Sequence, residues 1–257
     1  MKHISIPESH SIDINCDLGE GCCPSDEKLD DNLMSYISSC NIACGGHVGN
    51  EQSINNTINN AIKHQLKIGA HPSYPDKQNF GRISLSIDIQ DLKKSLKQQI
   101  DRFQNIIQEK QTQFHHIKFH GALYNDIEAN SSLAFELAKF CKTTYPSIKL
   151  LGLANGNLAQ SCQKLNIEFI AEGFMDRVYL SNGKLSSRKQ LGSVLSDPQQ
   201  VIKQMLALAN QKTFMTIDNK PITLKVDSIC LHGDNLNALT IAKQIQLALK
   251  EASIQIL

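Results

Sequence analysis

Short apolar runs alternate along the chain with longer stretches in which apolar residues recur every three or four positions. The runs at 11–17, 39–44, 66–71, 115–120, 148–153, 167–172 and 228–232 are rich in β-branched or aromatic residues and stop at turn residues, which predicts strands. The segment 88–110 places Ile89, Leu92, Leu96, Ile100, Phe103, Ile106 and Ile107 on one helical face, with Asp88 as its cap and Asp91 in its first turn. A last helix over 235–250 carries Leu236, Leu239, Ile241, Ala242, Ile245, Ala248 and Leu249 after Asn235. Segments 51–65, 131–143 and 197–210 also read as helices.

This alternation predicts βα units and a parallel sheet. Seven such strands imply an α/β fold: a closed or nearly closed (β/α) barrel, formed by 1–257 as one domain. A doubly wound open sheet is the alternative, but its Gly-x-Gly-x-x-Gly turn is missing. Gly19-Glu20-Gly21 runs into cysteines and Pro24, and its carboxylate would repel a pyrophosphate. Two stretches break the pattern. Val178 to Leu185 around Asn182-Gly183, and Phe214 to Val226 around Asp218 to Pro221, predict hairpin excursions.

Composition narrows the classes. A net charge of +1 gives no footprint for nucleic acid or an anionic membrane, and no run approaches the ~20 apolar residues of a membrane span. Met1 to His10 lacks the apolar core of an export signal, so a cytoplasmic location is expected, with the eight cysteines reduced. Cys40-x-x-x-Cys44, near Cys16, Cys22 and Cys23, has the spacing of half a zinc site, but no matching second pair follows.

The candidate chemistry lies where strands end. Cys44-Gly45-Gly46-His47, Gly69-Ala70-His71-Pro72, Lys118-Phe119-His120-Gly121 and Leu231-His232-Gly233-Asp234 each put a histidine beside a glycine or proline after an apolar run. Asp17 takes the equivalent place on the first strand. Parallel strands direct their carboxyl ends to one face, so these groups converge in space and predict an enzyme. Asp17 and Glu20 can divide proton removal and donation, or can serve as helix-start residues. The glycines around His47 can expose amides to an oxyanion. Arg82 can grip a carboxylate. Lys118 and His120, two apart, share one side of a strand, whereas His115 and His116 read as ordinary surface or strand-start residues. Glu172 ends another strand, and Asp176 is read either as a structural partner of an arginine or as catalytic. Arg82, Asp176, Arg177 and Arg188 would form a charged rim.

The segments Asp13 to Glu20, Asn41 to Gly45, Gly69 to Asp76, Phe80-Gly81-Arg82, His120 to Asn125, Asp176-Arg177 and His232-Gly233-Asp234 resemble the LamB/YcsF family, the A subunits of ATP-dependent bacterial 5-oxoprolinase. They run in order from about residue 12 to 235. The resemblance implies a (β/α) barrel of the glycoside hydrolase/deacetylase type that opens the 5-oxoproline lactam to glutamate. It implies ATP consumed by a complex with two partner subunits, B and C, which hold the nucleotide, and it is compatible with a homo-oligomer. Catalysis is expected from Asp17, His47, His71 and His120, which would also be the ligands of a divalent metal if one binds. Substrate contacts are expected from Asn41, Arg82, Lys118, Tyr124, Glu172, Asp176, Arg177, His232 and Asp234. Rival readings are a metal-dependent deacetylase or amidohydrolase, and a non-catalytic subunit that binds a small acid. Two positions depart from the family pattern. Gly46 stands where an aromatic is usual, which would enlarge the pocket. Asn50 stands in place of an aspartate, which would remove a carboxylate from the chemistry.

Overall fold

The computed structural model describes residues 10–21, 24–187, 190–233 and 238–257. In chain order the elements are β1 (His10–Leu18), α1 (Pro24–Met34), β2 (Ser39–Ala43), α2 (Glu51–Lys63), β3 (Lys67–His71), α3 (Ile89–Glu109), β4 (Phe114–Lys118), α4 (Gly121–Ala129) and α5 (Ser131–Thr144). They continue with β5 (Lys149–Leu153), α6 (Asn157–Leu165), β6 (Phe169–Phe174), α7 (Pro198–Ala209), β7 (Phe214–Met215), β8 (Pro221–Ile222), β9 (Ser228–Leu231), α8 (Ala238–Glu251) and β10 (Ile254–Ile256).

All seven expected strands form. They pair in parallel in the order β1-β2-β3-β4-β5-β6-β9, and β9 pairs back to β1, which closes a seven-stranded barrel. The open-sheet alternative is thereby excluded. β10, which has no sequence prediction of its own, pairs with the first residues of β1. Both hairpins are present: Tyr179 bridges Leu185 antiparallel, and β7 pairs with β8. Helices α4 and α6 are short and follow strands closely, so no long periodic run announces them. Asp88 and Asp197 cap α3 and α7 through side-chain bonds to Gln90 and Gln199. The cap expected at Asn235 lies outside the described residues. Among the described residues, no helix is long and apolar enough to cross a membrane.

Alternation along each strand sorts the side chains. Ile12, Ile14, Cys16 and Leu18 of β1, Cys40 and Ile42 of β2, and Ile229 and Leu231 of β9 belong to the buried apolar core. The alternate positions make a polar interior. Asp13 accepts hydrogen bonds from the hydroxyls of Ser38, Ser39 and Ser228, and Lys67 Nζ lies 3.4 Å from it. Asn15 Nδ2 donates to Ser228 Oγ (2.8 Å), and Asn41 Nδ2 donates to both Asn15 Oδ1 (2.9 Å) and Asp17 Oδ1 (2.8 Å).

His116 belongs to this column. Its sequence context marks it as ordinary, yet its ring is fully buried and Nε2 donates to Asn41 Oδ1 at 2.6 Å. Gly69 makes room for it, because a Cβ there would lie 2.3 Å from Nε2. Burial pushes the His116 imidazole down to about 3, so it stays neutral. A buried polar interior is tolerable only when its groups are hydrogen-bonded, and these are.

Cys40 and Cys44 belong to the buried core. Both are buried free thiols, Cys44 Sγ contacts the Ile42 carbonyl (3.1 Å), and burial raises each to about 12. Cys22 and Cys23 lie outside the described residues.

Candidate active site

At the carboxyl end of the column, five expected groups meet. Asp17 closes β1 with its side chain 18% exposed. Its Oδ1 accepts from Lys118 Nζ (3.0 Å) and Asn41, and its Oδ2 faces His71 Nε2 at 3.3 Å. Burial alone would raise this carboxyl, but the His71 and Lys118 charges outweigh it and hold Asp17 well below the usual carboxylate range.

Lys118 reaches across the barrel. Besides Asp17 it contacts Glu172 Oε1 (2.8 Å), Asn15 Oδ1 (3.2 Å) and Cys230 Sγ (3.4 Å), which ties β4 to β1, β6 and β9. Burial opposes its charge, yet Asp17 and Glu172 keep it protonated. Tyr124 donates to the other oxygen of Glu172 at 3.0 Å.

Glu20, an open choice in the sequence, proves central. Gly19, at φ +73° and bonded through N–H to Asp30 Oδ2 (2.8 Å), turns the chain so that Glu20 returns over the barrel mouth. Glu20 Oε1 lies 2.9 Å from His47 Nε2, 3.1 Å from His120 Nδ1 and 3.9 Å from His71 Nε2. Burial would raise it, but the bonds from His120 and His47 and the charge of His71 hold it well below its ordinary value.

The three imidazoles pack tightly. His47 stacks on His120 with centroids 3.6 Å apart and rings 2° from parallel, and His71 meets His120 edge-on. Burial pushes His47 down to about 4, so it is neutral at pH 7. A neutral His47 beside a carboxylate must donate from Nε2, leaving Nδ1 facing Ser73 Oγ (3.0 Å), whose hydroxyl also reaches the Tyr74 carbonyl (2.8 Å). Ser73 is fully buried and therefore orients His47 rather than attacking a substrate. Burial also works against charge on His71, but Asp17 more than offsets it and raises that imidazole.

The departures from the family pattern have local explanations. Asn50 caps α2 in a reciprocal box with Ser53, a role that an aspartate would fill equally, so no catalytic carboxylate is missing there. Gly46 does not enlarge the pocket. A Cβ there would lie 2.3 Å from Gln99 Oε1 and 2.5 Å from Ser73 Oγ, so those side chains occupy the space. Nor does this loop offer the Gly45 amide to an oxyanion, since it is bonded to Val48 O at 2.8 Å.

The expected rim forms only in part. Arg82 is exposed, with its guanidinium 5.0 Å over the ring of Phe80, and that ring borders both His47 and His120. Arg177 is buried and turns away, with Nη2 donating to Ser186 O (2.7 Å) to hold the first hairpin. Asp176 accepts from His232 Nδ1 at 2.7 Å, and His232 stacks on Phe174. Asp234 and Arg188 lie outside the described residues. For a metal, the groups brought within 4.8 Å of one another are Glu20, His71 and His120. Asp17 and His47 flank that set instead of completing it.

A parallel barrel whose carboxyl end gathers two ionised carboxylates, three imidazoles and a buried ammonium is the architecture of a (β/α)-barrel enzyme of acid–base chemistry. The chain belongs to the LamB/YcsF family, whose model matches residues 12–257. It is 34% identical over 247 residues to the 5-oxoprolinase A subunit of Bacillus cereus, a match spanning 96% of this chain and 98% of that protein. It is 36% identical over 245 residues to the 5-oxoprolinase A subunit of Campylobacter jejuni, spanning 95% and 96%. The fold matches the crystal structure of the lactam utilization protein from Thermus thermophilus with a TM-score of 0.89 at 27% identity, over 96% of this chain and 98% of the other.

Proposed function

We propose that this protein is the A subunit of an ATP-dependent 5-oxoprolinase and opens the lactam of 5-oxoproline to L-glutamate. The observation that carries the reading is the Asp17–Lys118–Glu20–His47–His71–His120 cluster, which holds two carboxylates ionised beside cationic and imidazole groups at the barrel's carboxyl end. The end-to-end match to 5-oxoprolinase A subunits supplies the substrate.

A lactam amide is resonance-stabilised. Transfer of a phosphoryl group from ATP to its oxygen removes that resonance and gives the oxygen a better leaving form. A first water then adds to the same carbon and the ring C–N bond breaks, which leaves the new γ-carboxyl as an acyl phosphate; a second water adds to that carbon, and phosphate departs with the former amide oxygen. Asp17, through Oδ2, takes the proton from the first water and returns it to the ring nitrogen. Positive charge at Lys118 and His71 steadies the oxygen as it gains negative charge, with His120 beside them. His47, fixed by Ser73, orients Glu20. Arg82, on the rim, meets the substrate carboxylate. Asn41, Tyr124 and Glu172 keep Lys118 and Asp17 in register from below, while His232 with Asp176 borders the opposite wall.

Partner subunits B and C hold ATP, since the chain offers no glycine-rich phosphate cradle of its own. The reaction belongs in the cytoplasm, and 1–257 acts as one unit. Glutamate release from 5-oxoproline and ATP tests this. The purified chain with both partner proteins should form glutamate, and the chain alone should neither form it nor hydrolyse ATP. Glutamate formation by the partners without this chain would overturn the reading.

A further inference from the structure

The hydrogen bonds at the barrel mouth fix which nitrogen of two rings carries its N–H. His71 Nδ1 lies 2.8 Å from the Lys118 carbonyl and His120 Nε2 lies 3.0 Å from the Phe80 carbonyl. A carbonyl can only accept, so each of these nitrogens carries the N–H of its ring. In a neutral imidazole the other nitrogen then holds a lone pair. Those two nitrogens, His71 Nε2 and His120 Nδ1, face each other at 3.0 Å. Glu20 Oε1, an acceptor too, stands 3.1 Å from the second and 3.9 Å from the first. Three acceptors therefore point into one space. In the absence of an ion a proton on His120 Nδ1 bridges His71 Nε2 and Glu20, and His71 Nε2 also faces Asp17 Oδ2 at 3.3 Å; an ion that displaces that proton is met by all three atoms at once.

We infer that His71 Nε2, His120 Nδ1 and Glu20 Oε1 bind a divalent transition-metal ion of the zinc class. Their spacings of 3.0, 3.1 and 3.9 Å bracket the roughly 3.4 Å edge of a tetrahedron with bonds of about 2.1 Å. Two imidazoles and one carboxylate form a donor set suited to that class. The surrounding bonds have the form that metal-binding histidines use, with the non-ligating N–H given to a backbone carbonyl. His47 Nε2 donates to the Glu20 carboxylate and fixes it in the same way.

The backbone is bent to make this possible. Phe80 stands at φ +54° and Gly81 at φ +62°, consecutive left-handed residues, and it is the Phe80 carbonyl that meets His120. For a bulky non-glycine residue that conformation is costly and marks a position held for a purpose. Gly81 is required at this point, since a Cβ would lie 3.0 Å from His47 Cβ and 3.1 Å from His120 Cδ2. Three protein ligands leave a fourth position, on the side where Glu20 is 18% exposed. An ion there polarises an oxygen brought to it, which deepens the lactam reading and rests on it. The site itself is detectable without substrate, so its failure and the failure of that reading are distinguishable.

The test uses the full chain stripped with a chelator and titrated with Zn²⁺ by calorimetry and with Co²⁺ by visible absorption. One equivalent of each ion should bind, and Co²⁺ should give the ligand-field bands of a four- or five-coordinate site. Glu20→Gln and His120→Asn should each weaken binding ~10-fold or more. His64→Asn, which alters a histidine paired with Asp31 on the outer surface, should leave it unchanged. Should His120→Asn fail to fold, Glu20→Gln still decides the matter, because it preserves shape. The inference is overturned if neither ion binds stoichiometrically, if binding survives Glu20→Gln undiminished, or if nitrogen NMR of the chelated and reloaded chain finds only a protonated His71 with no metal-dependent shift.

Discussion

Asp13 and Asp17 stand four residues apart on the same strand and both point into the barrel, yet their surroundings differ in kind. Asp13, at the amino end, is met by three serine hydroxyls and the ammonium of Lys67. Burial raises it, but the Ser228 and Ser39 bonds and Lys67 outweigh this and lower it, which leaves a saturated, closed anion. Asp17, at the carboxyl end, is met by an ammonium that is shared with Glu172 and by the His71 imidazole, whose outer N–H is spent on a carbonyl. The same residue type thus serves as structure where hydroxyls surround it and as chemistry where titratable rings do. Charge alone does not mark a site. The capacity of the neighbours to move protons does.

The largest effect expected is on turnover at the carboxyl end. Replacing His71 or His120 by Asn should lower glutamate formation by ~10²-fold or more in the reconstituted complex, because each loses a titratable ring from the reacting centre. A thermal melt that stays close to the parent separates this from unfolding. Full activity in either variant would place that ring in the scaffold with Asp13.

Next in size is a stability effect at the amino end. Asp13→Asn should cost about 2 kcal/mol of unfolding free energy, since serine donors that meet an anion would then meet an amide. Urea titration reads this directly, and turnover per folded molecule should be unchanged.

The third prediction concerns pH. Glu128 accepts from the backbone N–H groups of Asn157 and Leu158 at the start of α6, and burial raises it from 4.5 to about 7. Between those values the unfolded chain has released its proton while the folded chain retains it. The stability from this group is therefore complete below about pH 4.5 and is lost as pH rises through 7, by on the order of 3 kcal/mol. Glu128→Gln should flatten that slope in denaturant titrations at several pH values. Asp13 and Asp17, both lowered, work in the opposite sense: their stability is present above the ordinary carboxylate range and is lost on acidification.

The smallest effect is expected at Arg82. It is exposed and stacked on Phe80, so Arg82→Lys keeps charge but loses the planar fork. The apparent KM for 5-oxoproline should rise several-fold with kcat nearly constant. An unchanged KM would remove Arg82 from substrate binding.

Much of this is legible in the chain. Strand-end histidines at 47, 71 and 120 and the carboxylate at 17 announce a converging site, because parallel strands share one exit face. The two-residue spacing of Lys118 and His120 places both inward. Glu20 is ambiguous in sequence because its position depends on a left-handed Gly19 and a bond to Asp30, neither of which the sequence displays. His116 escapes notice because nothing local reveals which face of β4 is interior, although its period-two relation to Lys118 carries that information. Arg177 is expected on the rim, but its partner, the Ser186 carbonyl, exists only once the hairpin folds back. Short helices such as α4 have too few turns to register as a period.

The measurement that tests the account most directly pairs Asp13→Asn with Asp17→Asn in one assay. Glutamate formation and thermal unfolding are recorded for both variants in the presence of the partner proteins. Asp17→Asn should lose ~10²-fold or more in turnover per folded molecule, beyond any lowering of its melt from the loss of the Lys118 and His71 partner, whereas Asp13→Asn should melt lower while each folded molecule turns over at the parent rate. The reverse pattern, or equal turnover in the two variants, would contradict the division of the barrel into a structural and a chemical end.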